Sequence, residues 1–150
     1  MPPEYLDILM EYLFFVWTIL LIPIAVIIIA MIISLAKRKW KFNKTVIWEG
    51  ILLVLIIIIG VAYTAPVAID ASQNSIEVAQ YSYAYYYNQD ESNGLFHRSI
   101  LVETDNGTKV YLNDTKDNFP FEIENGTIIY AKHSKIILEY TGTVINQDHF

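Results

Sequence analysis

Two long stretches of this chain carry no charge, and a short segment crowded with positive charge separates them. Residues 12–36 are 25 consecutive uncharged positions, sixteen of them Leu, Ile, Val or Phe. An α-helix rises ~1.5 Å per residue, so this run reaches ~37 Å, beyond the ~30 Å hydrocarbon core of a bilayer. Each such side chain favours insertion by roughly 0.3–0.6 kcal/mol near the membrane centre, which sums to several kcal/mol. The run is apolar on all faces, whereas a helix lying on a soluble core shows one apolar stripe. Residues 50–69 form a second uncharged run of 20. The pattern predicts two transmembrane helices, 12–36 and 50–69, with 1–11 as a short N-terminal segment and 37–49 as their connection. Trp17, Trp40, Trp48 and Tyr63 suit the membrane interfaces, where amphipathic rings collect.

The connection sets the expected orientation. Lys37, Arg38, Lys39, Lys41 and Lys44 fall within eight positions, and clustered bases are retained on the cytoplasmic side. Both termini are then expected outside, in a multi-pass plasma-membrane protein. Glu4, Asp7 and Glu11, the only charges before residue 37, agree. A cleaved signal peptide is not expected, because the leading segment is acidic and the first run is too long.

Helices in a membrane associate by close packing, which small residues permit. Ala30 and Ser34 lie four apart on the first helix. Gly60 and Thr64 lie four apart on the second, with Ala68 beyond them. Folding the chain about its basic loop sets Gly50 level with Ala30 and Met31, and Gly60 level with Leu21. The expected helix contacts are therefore Ala30, Ser34, Gly50, Gly60 and Thr64, facing either the other helix or a membrane-protein partner. Pro23 removes one helix hydrogen bond, so a kink is expected there. Glu49, at the inner mouth of the second helix, is expected to pair with loop lysines. No ionisable residue lies deep in either run, which disfavours a pore or transport path through two helices.

Residues 70–150 read differently. A short polar tether, 70–75, leads into segments of alternating polarity broken by turn signals. Strands are expected at 76–87, 95–104, 108–112, 119–124, 127–131 and 135–145. Asn93-Gly94, Asp105-Asn106-Gly107, Asn125-Gly126 and Lys132-His133-Ser134 mark the turns, since Asn-Gly supplies the positive φ that tight hairpins need. The fold class is thus an α-helical transmembrane hairpin plus a small all-β extracellular domain, an antiparallel barrel or sandwich of about six strands. This combination is similar, at the level of fold, to membrane scaffold proteins bearing an oligonucleotide/oligosaccharide-binding-type domain. Richness in Ile, Asn, Lys and Tyr points to an A+T-rich, microbial source.

Within the β region, Tyr81, Tyr83, Tyr85 and Tyr87 alternate and share one strand face. They are either half of the core or a platform for a ligand. Ile76 and Val78 have the opposite parity, and a bulge near Ala79–Gln80 would reconcile the two sets. Glu122 and Glu124 share a face opposite Phe119, Phe121 and Ile123. A cation site or acid–base pair is the sharper reading of these carboxylates, a solvated strand face the plainer one. His97, His133 and His149 show no ligand spacing, and His133-Ser134 reads as a turn. With no cysteine, thiolate metal sites and disulfides are excluded. From Asp70 onward there are 12 acids and 5 bases, an unsuitable footprint for nucleic acid.

No cofactor is expected and no enzyme activity is indicated. The function expected is a non-catalytic accessory or scaffold subunit presenting its β domain outside the cell. Its partners would be the bilayer and either a membrane protein or further copies of the chain. The alternative is an extracellular module that binds envelope polysaccharide or protein through the tyrosine face.

Overall fold

The computed structural model describes residues 1–37, 43–87, 98–115 and 118–146. Two helices come first, α1 (Pro3–Lys37) and α2 (Lys44–Gln73). Five strands follow: β1 (Ile76–Tyr86), β2 (Arg98–Thr104), β3 (Lys109–Asp114), β4 (Glu122–Ala131) and β5 (Ile137–Asn146). Arg38, Lys39, Lys41, Trp40, the Asn93-Gly94 turn, His97 and His149 lie outside the described residues.

Both helices are long and apolar enough to cross a bilayer. Only 6% of the most apolar window of α1 is buried, and 17% of that of α2. The rest of the chain therefore leaves these apolar segments largely uncovered. Phe14 and Trp48 are 76% and 68% exposed, and most of the Ile and Leu side chains between the helix ends face outward too. Each helix runs unbroken through its proline, Pro23 or Pro66.

Both helices exceed the charge-free runs. α1 starts at Pro3, so nearly all of the segment 1–11 is helical. Tyr5, Ile8, Leu9 and Tyr12 are its buried residues, at the i, i+3, i+4, i+7 spacing of one helix face. α2 starts behind Asn43, whose side-chain oxygen accepts from the Val46 N–H at 2.9 Å, the usual role of an N-cap. It continues through Asp70 to Gln73, so residues 70–73 extend the helix and are not a tether. Asn74 ends it in the left-handed conformation, φ 53°, which asparagine tolerates better than most residues.

The strands form one sheet in the order β3-β2-β1-β4-β5, with all neighbours antiparallel. A single parallel bridge, Asn113 to Ile136, links the ends of the two outer strands. The Asp105–Gly107 turn joins β2 and β3, with Gly107 at φ 76° and its N–H on the Thr104 carbonyl at 2.8 Å. Among the described residues there are five strands where six were expected. The segments 119–124 and 127–131 are not a hairpin: β4 runs straight through Asn125-Gly126. A type I′ hairpin needs positive φ at both central residues. Here Asn125 alone has it, φ 51°, and the result is a register shift between Glu124 and Thr127 against β5.

The inward side of the sheet changes parity at this level. On β4 it passes from Ile123 to Ile128, and on β1 from Tyr81 to Ala84, all fully buried. The break in β1 shifts its register against β2 between Tyr81 and Tyr83. It therefore lies at Ser82, not at Ala79–Gln80, and Ile76 and Val78 stay outside the core, with Val78 62% exposed. The main core gathers side chains from all five strands, among them Tyr81, Ile100, Leu112, Ile123 and Ile137, with Phe119 packed in. A second cluster joins the helix ends to the sheet. Tyr5, Ile8, Leu9 and Tyr12 of α1 and Val67 of α2 pack with Ala131, Ile136 and Leu138.

Candidate functional site

The four tyrosines do not act as one set. Tyr81 precedes the parity change and is 1% exposed. Its hydroxyl crosses beneath β4 and donates to the Thr141 carbonyl of β5 at 2.6 Å. Two glycines make that path. A Cβ on Gly126 would lie 1.7 Å from the Thr141 oxygen, and one on Gly142 would lie 2.3 Å from the Tyr81 hydroxyl. Burial pushes the Tyr81 phenol up to about 12.

Tyr83, Tyr85 and Tyr87 come after the change and are half-buried. The pairing register puts Tyr85 beside Leu101 and Leu101 beside Tyr111, on the sheet face away from the main core. The same register sets Glu122 beside Tyr85 and Glu124 beside Tyr83. The two features singled out separately in the sequence, the tyrosine row and the Glu122/Glu124 pair, thus meet on one surface. The Tyr83 and Tyr85 ring centroids are 5.4 Å apart, tilted by 44°. Tyr87 meets Tyr111 edge-on at 5.7 Å. Burial raises the Tyr83 phenol, and the Glu122 carboxylate hydrogen-bonded to it adds to the rise.

A second constellation lies where α2 meets the sheet. Asp70 is fully buried. Its Oδ1 and Oδ2 accept from the His133 N–H at 3.0 and 3.1 Å, and Oδ2 from the Ser134 N–H and hydroxyl at 2.7 Å each. His133 Nδ1 lies 2.7 Å from Oδ1. Burial pushes this carboxyl up, but the donors from Ser134 and His133 outweigh it and hold it below the usual range. On the α1 side of the helix–sheet junction, the Tyr5 hydroxyl donates to Glu139 of β5. Asp, His and Ser are the residue types of a hydrolytic triad, but their connectivity differs. The Ser134 hydroxyl is bound to the carboxylate, with the imidazole on the other oxygen, so no base is aligned to take the serine proton. The arrangement fastens the β4–β5 turn to the end of α2. Sequence reading missed this role. An acid directly after an apolar run is its one signal.

In the hairpin, Gly60 and Thr64 are buried. A Cβ on Gly60 would sit 2.7 Å from Leu20 Cδ1 and 3.3 Å from Trp17 Cη2. The Thr64 hydroxyl donates to the Gly60 carbonyl at 2.8 Å, within its own helix. Gly50 is more loosely placed, with Met31 Cε 4.0 Å from its hypothetical Cβ. Ser34, one turn after Ala30, donates to Glu49 Oε1 at 3.4 Å. Of the basic loop residues, Lys37 and Lys44 end and begin the two helices.

Among the described residues, no three of His, Asp and Glu are grouped to hold a metal ion. A shallow pocket between α1 and β5 is lined by Ile8, Asp114, Asn118, Leu138, Glu139 and Tyr140. Its Asp114 accepts from the Phe119 N–H and the Tyr86 hydroxyl, each at 2.9 Å. Comparison with family models, characterised proteins and solved structures finds no match to this chain.

Proposed function

We propose that this chain is a non-catalytic membrane protein whose helical hairpin crosses the plasma membrane once in each direction and holds a β domain against its outer surface. The observation that carries this reading is the junction. A buried carboxylate at the end of α2 and an apolar face at the start of α1 both grip the same corner of the sheet. The domain is thus held on the hairpin in one orientation, as a subunit that presents a surface needs. The five bases of the loop between the helices, Lys37 to Lys44, favour a cytoplasmic loop and hence a β domain outside. Outside the helix–helix seam and the junction with the sheet, most apolar side chains of both helices face outward, available to lipid or a membrane partner. The near-meeting of β3 and β5 at Asn113 and Ile136 supports a small, partly closed barrel.

A second reading is favoured by a specific observation. Tyr83 and Tyr85 lie on the outer sheet face beside Glu124 and Glu122, with Tyr87 against Tyr111 near them, so the domain carries a surface suited to binding. Purification of the intact protein in mild detergent tests the primary reading. A stoichiometric membrane partner or a defined homo-oligomer is expected. A monomer that copurifies with nothing overturns the accessory role.

A further inference from the structure

We infer that the outer face of β1, β2 and β4 docks a cationic segment of a partner protein, one that carries lysine or arginine side chains. This rests on the binding reading above and names the chemistry of its partner. Three observations select the class. The first is charge. The register partners of Glu122 and Glu124 are Tyr85, Asn146, Tyr83 and Thr143, and none is cationic. Glu103, on the same face, has Lys109 opposite it, so among the described residues of this face the carboxylates with no cation across the register are the two beside the tyrosines. The second is ring geometry. A flat saccharide face laid on two aromatic rings at once stacks best when those rings lie near one plane. Tyr83 and Tyr85 are tilted by 44° and Tyr87 and Tyr111 by 71°. A guanidinium or ammonium group needs only one ring face with a carboxylate nearby. The third is the long-range field. The domain is acidic, with 12 acids against 5 bases from Asp70 onward, and would steer a basic segment inward.

The test uses the full chain in phosphatidylcholine nanodiscs, titrated calorimetrically with an oligolysine peptide, with oligoglutamate and maltohexaose as controls. Oligolysine is expected to bind with one-to-one stoichiometry and with an affinity that falls as salt rises. Changing Glu122→Gln with Glu124→Gln should weaken binding at least about tenfold, and Tyr83→Leu with Tyr85→Leu about as much. The pair Glu4→Gln and Asp7→Asn removes equal charge from exposed positions on α1 and should change binding less than about twofold. Thermal melts confirm that each variant is folded. Equal loss in both charge pairs would mean attraction by net charge alone and would overturn the inference. Binding of maltohexaose that depends on Tyr83 and Tyr85 would keep the binding face but refute its cationic partner. If neither probe binds, the binding reading fails as well.

Discussion

Tyr81 and Tyr83 stand two positions apart on one strand, and the break at Ser82 gives them opposite roles. Tyr81 lies in the core with its hydroxyl committed to Thr141. Tyr81→Ala should cost roughly 3–5 kcal/mol, as other large buried aromatic residues do. Tyr81→Phe should cost about 0.5–1.5 kcal/mol, because it removes one hydrogen bond to the Thr141 carbonyl while keeping the ring. Tyr83→Ala and Tyr85→Ala remove half-buried rings from an outer face and should cost less than about 1 kcal/mol each. Urea unfolding of the chain in nanodiscs, followed by near-ultraviolet circular dichroism, measures all four. A loss at Tyr83 as large as that at Tyr81 would place both in the core. Gly126 belongs to the same assembly. A Cβ there meets backbone at 1.7 Å, which no rotamer change relieves, so Gly126→Ala should perturb the sheet more than Gly60→Ala perturbs the hairpin, where the obstacle is a mobile leucine methyl.

Among the elements, the junction of α2 with the β4–β5 turn carries the clearest pH dependence. The Asp70 carboxyl is held below its ordinary value when folded. Its contribution is therefore complete above its unfolded pKa, about 4, and is lost as pH falls through the lower folded value. Amide exchange at residues 132–135 should stay slow from neutral pH down to about 4 and quicken below, after correction for the intrinsic rate. Asp70→Asn should quicken it at neutral pH and flatten the profile, at roughly 1–3 kcal/mol per stranded donor. In the hairpin, Gly60→Leu should force Trp17 and Leu20 away. Cross-links between α1 and α2 should then weaken while Leu55→Ala, on an exposed face, leaves them intact. Unchanged cross-links in Gly60→Leu would make the small-residue seam incidental. These junctions also mark what the sequence discloses. Charge-free runs and alternating strands are local patterns, so the helices and most strands could be read from residues alone. The spacing of Tyr5, Ile8, Leu9 and Tyr12 is equally legible, but Glu4, Asp7 and Glu11 among them end the charge-free run, so 1–11 reads as a separate N-terminal segment and not as the first turns of α1. Asn125-Gly126 misled because a dipeptide states which φ angles are available, while the tertiary setting decides between a hairpin and a bulge. The grip of Asp70 on His133 and Ser134 spans 63 residues, and no local pattern announces a contact that remote.

Taken whole, the molecule has helices longer than a bilayer requires, and the surplus has a direction. α1 is 35 residues and α2 is 30, so at ~1.5 Å per residue they extend ~52 and ~45 Å against a ~30 Å core. The apolar runs end near Tyr12 and Ile69, and what lies beyond them, Pro3 to Glu11 and Asp70 to Gln73, packs on or binds to the sheet. Lys37 and Lys44 stand at the opposite helix ends. The chain is therefore polarised, and its orientation should follow from the loop alone. Because it has no cysteine, single cysteines can report each side. Ser72→Cys, exposed at the end of α2, should react with a membrane-impermeant maleimide in intact cells. Thr45→Cys, exposed beside the loop, should react only after permeabilisation. Neutralising Lys37, Arg38, Lys39, Lys41 and Lys44 together should make a fraction of the molecules label in the reverse sense. Labelling of Thr45→Cys but not Ser72→Cys in intact cells would put the β domain in the cytoplasm. Full labelling of both would mean that the helices do not span the bilayer.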